Sequence, residues 1–150
     1  MSTRKMALSS EGGWIGYGLK IVQHRLRQRL EAELSEAGVS AAQNAVLLAI
    51  RDNPRISNAA LARAAFVTPQ SMQGMLVTLE RDGFIVRTPH PGHGRIIMTE
   101  LTEKGLTAAH AGMIAAETVE RQMLAGLTTE EAELLGELLQ RCAKALEPGN

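Results

Sequence analysis

Between Thr68 and Gly74 the chain reads Thr-Pro-Gln-Ser-Met-Gln-Gly. Thr68, Gln70, Ser71 and Gln73 carry neutral hydrogen-bonding groups, and a Gln carboxamide can pair bidentately with the major-groove edge of adenine. Thr followed by Pro marks a helix start. The Thr hydroxyl caps, and Pro lacks only an N–H that is unpaired at the first position anyway. A shorter helix, from a Ser57 cap to Ala64, precedes it across a brief connection, Ala65-Phe66-Val67. Two helices so joined are the layout of a helix-turn-helix, whose second helix enters the major groove N-terminus first. A helix N-terminus also favours phosphate. The chemistry predicted is recognition of double-stranded DNA, with Ser57, Thr68, Pro69, Gln70, Ser71, Gln73 and Gly74 at the interface. An ordinary solvated surface helix would use the same residue types, and this geometry also serves purely structural ends.

A second group lies between two runs of strand formers, Phe84–Thr88 and Arg95–Thr99. The intervening Pro89-His90-Pro91-Gly92-His93-Gly94 reads as an irregular hairpin loop. Arg95 is the cation nearest its tip, and His90, His93 and Arg95 are expected to face DNA. His90 and His93 have the spacing of a ligand pair, but zinc wants three or four protein ligands and no Cys, Asp or Glu stands close by. No metal or other cofactor is expected. Cys142, on the apolar stripe of the last helix, reads either as a small hydrophobe or as a redox-responsive thiol. Trp14 and Tyr17 stand out in a chain that is 3% aromatic. No phosphate loop, nucleophile elbow or zinc-protease helix is present, so an enzyme is not expected. A winged helix that docks protein is a further alternative, although polar Gln70, Ser71 and Gln73 are not the apolar anchors such a face needs.

These residues need a scaffold, and 150 residues suffice for one domain. Net charge is formally zero, but it is unevenly spread: Lys20, Arg25, Arg27 and Arg29 form a basic run, and residues 117–137 are acid-rich. A neutral chain can still present a basic face to phosphates. One cysteine fits a reducing compartment, Met1 to Ser10 lack a signal-like apolar stretch, and no run spans a membrane, so a cytoplasmic protein is expected.

Apolar spacing predicts a helix over about 12–36 (Ile15, Leu19, Val22, Leu26, Leu30) with Gly38 as its stop. Ser40 and Gln43 form a capping box for a second helix, which Asp52-Asn53-Pro54 ends. Met72, Leu76 and Leu79 turn one face of the fourth helix inward, and Gly83 suits its left-handed stop. Thr102 begins a long helix with Leu106, Ala109, Met113, Ala116 and Met123 on one side. Thr128 and Glu131 cap a last helix bearing Leu135, Leu138, Cys142 and Leu146. The fold class is mainly α with a small β-hairpin wing: a winged helix-turn-helix over 40–101. The outer helices, 12–36 and 102–147, carry apolar stripes that so small a centre cannot cover, which predicts a homodimer.

In order and spacing the segments Val39-Ser40-Ala41-Ala42-Gln43, Leu61-Ala62-Arg63, Leu79-Glu80-Arg81-Asp82-Gly83 and Leu101-Thr102-Glu103-Lys104-Gly105 resemble the MarR family of transcriptional regulators. The resemblance covers nearly the whole chain. It implies a homodimeric repressor on a palindromic operator, dimerised through its outer helices. It also implies a small aromatic or anionic effector held between those helices and the DNA-binding lobe, where Trp14 and Tyr17 either line the pocket or anchor the dimer. Arg95 matches the family's wing arginine. His93 stands where many members carry an acid that pairs within the wing, and Gly74 where many carry an arginine. Either a strong contact is missing at Gly74 or a backbone approaches closely there.

Overall fold

The computed structural model describes residues 14–149, without the side chains of Trp14, His93 and Ile96. The expectations for Met1 to Ser10, for residues 12–13 and for the Trp14 and His93 side chains therefore lie outside the described residues. The elements are α1 (Trp14–Leu34), a 3-10 turn (Ser35–Ala37), α2 (Ala41–Asp52), α3 (Asn58–Ala64), α4 (Pro69–Arg81), β1 (Ile85–His90), β2 (His93–Leu101), α5 (Glu103–Leu124) and α6 (Thr129–Ala145). This is a winged helix-turn-helix flanked by long helices.

Local chemistry sets the boundaries. Ser40 Oγ accepts from Gln43 N at 3.1 Å while Ser40 N donates to Gln43 Oε1 at 3.0 Å, closing the capping box of α2. Ser57, Thr68 and Thr102 cap α3, α4 and α5, and Thr128 with Glu131 closes a second box on α6. Gly38 and Gly83 sit at φ 74° and 82°, the left-handed stops that glycine takes without strain. Glu31 Oε1 also accepts from Ala41 N at 3.1 Å, tying α1 to the start of α2.

The core gathers Leu34, Val46, Leu47, Ile50, Leu61, Met72, Leu76, Leu79, Phe84 and Ile85. Met72, Leu76 and Leu79 are buried on α4 as their spacing requires, which leaves its opposite face to solvent.

One sequence expectation needs correction. The stretch from Pro89 to Gly94 is not a loop throughout. Pairing runs from Ile85↔Leu101 to Pro89↔Ile97, then shifts so that His90 faces His93, leaving only Pro91 and Gly92 as the turn. Both strands of a two-stranded ribbon are edges, and proline is tolerated where its nitrogen faces outward. The shift places residues 94–96 of β2 in a bulge opposite the step from Pro89 to His90.

The inward face of α5 is made of small residues, and the ends of the Leu106–Met123 stripe lie uncovered, as expected of an outer helix. Gly105, Ala108, Ala109, Gly112, Ala115 and Val119 are buried, whereas Leu106 and Met123 are exposed. The helix lies so close to its neighbours that a Cβ at Gly112 would overlap the Asn44 carboxamide on α2, and one at Gly105 the Phe84 carbonyl. Small residues permit that approach, and the larger stripe is turned outward.

On α1, Ile15, Leu19 and Val22 are exposed, and α6 buries no residue at all. Among the described residues no helix is long and apolar enough to cross a membrane.

Candidate nucleic-acid interface

The outward face of α4 begins at its cap. Thr68 Oγ1 accepts from Ser71 N at 3.1 Å and donates to Ser71 Oγ at 3.0 Å, so this hydroxyl is committed to holding the first turn. Pro69, Gln70, Ser71, Gln73 and Gly74 are all exposed. A Cβ on Gly74 would meet nothing within 4 Å, so no close approach inside the chain requires glycine there. Its carbonyl accepts from Thr78 Oγ1 at 3.1 Å.

Between the start of α3, the flank of α4 and the inner face of the wing lies a cleft of about 370 Å³. Ser57, Asn58 and Gln73 line it together with Arg55, Arg87 and Arg95, and no Asp or Glu does. Ser57 Oγ accepts from Ala60 N at 3.1 Å, which makes it a cap first. Alternation along β1 turns Arg87 to the side where Ile85 is buried, and its cross-strand partner is buried Thr99. Glu80 Oε2 accepts from Arg87 N at 3.2 Å, anchoring the strand to the end of α4. Arg87 Nη2 donates to Gln73 Oε1 at 3.5 Å, the long limit of such a bond. Its Nε is buried without a partner among the described residues.

Arg95 sits in the β2 bulge, exposed, and among the described residues it joins no ion pair. His90 is half-buried, its Nδ1 accepting from Gly92 N at 3.0 Å, so it shapes the wing tip.

Sequence reasoning thus missed Arg55 and Arg87. Arg95 is not the single cation of the region but one of three. The strand alternation that buries Ile85 was a signal for Arg87, since it puts both on one side of the ribbon. The basic run Lys20–Arg29, by contrast, lies on α1, which packs on α5 and α2 rather than on α4 or the wing. Tyr17 is exposed on α1 and lines no part of the cleft. Cys142 is exposed on α6.

An exposed row of neutral donors and acceptors beside a cleft whose lining holds three arginines and no Asp or Glu can bind a polyanion and hydrogen-bond its bases. Residues 37–96 match the MarR family. The HTH-type transcriptional repressor Rv2887 of Mycobacterium tuberculosis is 31% identical over 127 residues, 85% of this chain and 91% of that protein. Its crystal structure in complex with DNA matches with a TM-score of 0.68 and 29% identity over 85% of this chain and 96% of that one. Its complex with salicylic acid matches with a TM-score of 0.72 and 29% identity, over 89% and 99%.

Proposed function

The chain belongs to the MarR family of DNA-binding transcriptional regulators, and on that premise we propose that it is a homodimeric, ligand-responsive repressor acting on a palindromic operator. Residues 40–101 form the DNA-binding lobe, and 12–36 with 102–147 form the dimer. The observation that carries the reading is the exposed N-terminal half of α4 standing beside an acid-free cluster of three arginines. A two-fold dimer presents two such helices, so the operator is an imperfect palindrome with half-sites about 10 bp apart, one turn of B-DNA. A gel-shift titration with the DNA upstream of the protein's own gene tests it. Retardation no stronger than with scrambled DNA of equal length would sink the reading.

Gln73 has its carbonyl oxygen turned to Arg87, which leaves its NH₂ to donate to a base acceptor, while Gln70 keeps both groups for bidentate pairing. Gln70→Ala and Gln73→Ala should each cost about 1–3 kcal/mol on the preferred operator and relax preference at one or two base pairs. Non-specific affinity should hold, because a neutral amide releases no counterions. Selection from randomised half-sites reads this out, and unchanged preferences in both variants would assign base reading elsewhere.

Arg95→Ala should instead weaken binding to all sequences and lower the slope of log affinity against log salt by about one per half-site. A variant that kept both the affinity and the slope of the parent would remove the wing from the interface.

The effector is an aromatic or apolar anion. Three arginines with no acid suit a carboxylate, and Ile56, Leu61 and Ile97 on the same walls suit a ring. The salicylic acid complex of Rv2887 is support by analogy. Because Gln73 and Arg95 belong to both the cleft and the DNA face, an occupied cleft competes with the operator. A ligand acts only through such a difference in affinity between two states. Trp14 and Tyr17 then fall to the dimer helices.

A further inference from the structure

Phe66, in the turn between α3 and α4, combines a left-handed backbone with an exposed aromatic side chain. Its backbone sits at φ 56°, the left-handed region that disfavours side chains other than Gly, Asn and Asp. Its ring is 96% exposed, more than any other large hydrophobic among the described residues.

The left-handed step itself has a reason. Phe66 N donates to Arg63 O at 3.2 Å and Val67 N to Ala62 O at 3.0 Å, closing the turn while Ala65 and Val67 pack against the core. Glycine would make that turn with less strain and without an exposed ring. An unfavourable conformation held by its surroundings is found where function gains from the side chain.

The residue lies two places before the Thr68 cap. When a helix enters the major groove N-terminus first, that position stands at the groove rim, where the sugar–phosphate backbone passes. We propose that Phe66 is an apolar DNA contact, its ring packed on the C–H surface at the rim of the major groove, either a deoxyribose face or a thymine methyl. The occupant is duplex DNA because Phe66 lies exposed just before the exposed row Thr68, Gln70, Ser71 and Gln73 at the start of the same helix. Such a contact adds affinity without charge, which suits a chain of zero net charge with glycine at position 74. The inference rests on the reading of α4 as the helix that enters DNA.

The test compares wild type, Phe66→Gly and Phe66→Leu by fluorescence anisotropy on an operator duplex across a salt series, with thermal melts alongside. Phe66→Gly should bind about tenfold more weakly per half-site at every salt concentration. Its log–log salt slope should equal that of wild type, because no counterion contact is lost. It should melt at the same temperature or higher, since glycine relieves the strained φ. Phe66→Leu should keep part of the affinity.

Replacing operator thymines one at a time by deoxyuridine separates the two surfaces. A single position that weakens wild type but not Phe66→Gly identifies a methyl, and no such position identifies deoxyribose.

Equal affinity of Phe66→Gly and wild type overturns the inference alone. So does a weaker affinity that comes with a lower melting temperature or a changed slope, which would give the ring to the fold or to phosphate placement. Unchanged DNA binding with lost repression in cells would place a protein there instead and overturn it too. If wild type binds no duplex, the DNA-binding reading has failed and this inference falls with it.

Discussion

Replacing Leu135 and Leu138 together by Glu converts the protein into a folded monomer that binds its operator a hundredfold or more weaker. Helix α6 buries nothing, although Leu134, Leu135, Leu138 and Leu139 lie along it at 37–52% exposure. On α1, Ile15, Leu19 and Val22 are similarly uncovered, and on α5 Leu106, Ile114 and Met123. A soluble monomer rarely leaves so many large apolar side chains in water along its helices.

In a two-fold interface each substitution counts twice, so four leucines are removed per dimer. Leu135 and Leu138 are 37% and 42% exposed in the protomer, so the interface buries only that fraction of each, about 0.6–1.3 kcal/mol. The apolar loss is then roughly 2–5 kcal/mol per dimer. Placing four carboxylates in an apolar seam adds several kcal/mol more, and the two together are comparable with the association energy of a micromolar dimer. The new carboxylates also join Glu130, Glu131, Glu133 and Glu137 on the same helix.

The lobe survives because its core, from Leu34 to Ala115, includes no α6 residue. Affinity falls because two linked recognition helices gain an effective concentration worth about 10²–10⁴ over one alone. Light scattering gives the mass, circular dichroism the helix content and gel shift the affinity. A variant that stays dimeric at micromolar concentration would place the interface elsewhere.

What the sequence disclosed and what it concealed divide along physical lines. Caps are local: a hydroxyl three residues before the N–H it accepts from needs no tertiary context. Ser40, Ser57, Thr68, Thr102 and Thr128 were therefore all readable as helix starts. The outward residues of α4 follow from its period once Met72, Leu76 and Leu79 face in.

Distances between elements are not local. The inward face of α5 is built of Gly and Ala because neighbouring helices approach closely, and a pattern that weighs large apolar residues selects the outer stripe instead. Pairing through Pro89 depends on the ribbon having only edge strands, which the dipeptides of the wing do not announce. Arg55 and Arg87 lie 32 positions apart in sequence and share one cleft only because the wing stands against α4 and α2. Phe66 read as part of a tight connection, and only its backbone angle and its exposure mark it out.

Close approach also sets the last prediction: Gly105→Ala should lower the melting temperature by roughly 5–15 °C. Gly105 is the third residue of α5, and its N–H donates to the Thr102 cap at 3.0 Å. Around it the first turn of α5 clasps the end of α4. Thr102 N donates to Phe84 O at 3.1 Å, Thr102 Oγ1 to Gly83 O at 2.6 Å, and Lys104 Nζ to Asp82 O at 2.7 Å. The Lys104 ammonium also lies 4.3 Å from the centre of the Phe84 ring.

A methyl on Gly105 would overlap the Phe84 carbonyl, which is backbone and cannot swing aside as a side chain end can. Helix propensity alone would favour alanine by about 1 kcal/mol. Against it stand overpacking at about 1–3 kcal/mol, the cap at about 0.5–2, and about 0.5–1.5 for each further hydrogen bond displaced. The unfavourable side wins by roughly 2–4 kcal/mol, at about 2–4 °C each for a chain of this length.

Gly16 occupies the same third position in α1, but a Cβ there would meet nothing within 4 Å, so Gly16→Ala should go the other way by up to about 1 kcal/mol. The same clasp ties the end of α4 to the start of α5, and through α5 to any two-fold partner packed on it. Gly105→Ala should therefore lose more affinity for the two-site operator than for a single half-site, measured below its melting temperature. Melting at or above the wild-type temperature would mean that α5 can retreat from Phe84 at no cost, and the clasp would then hold nothing in place.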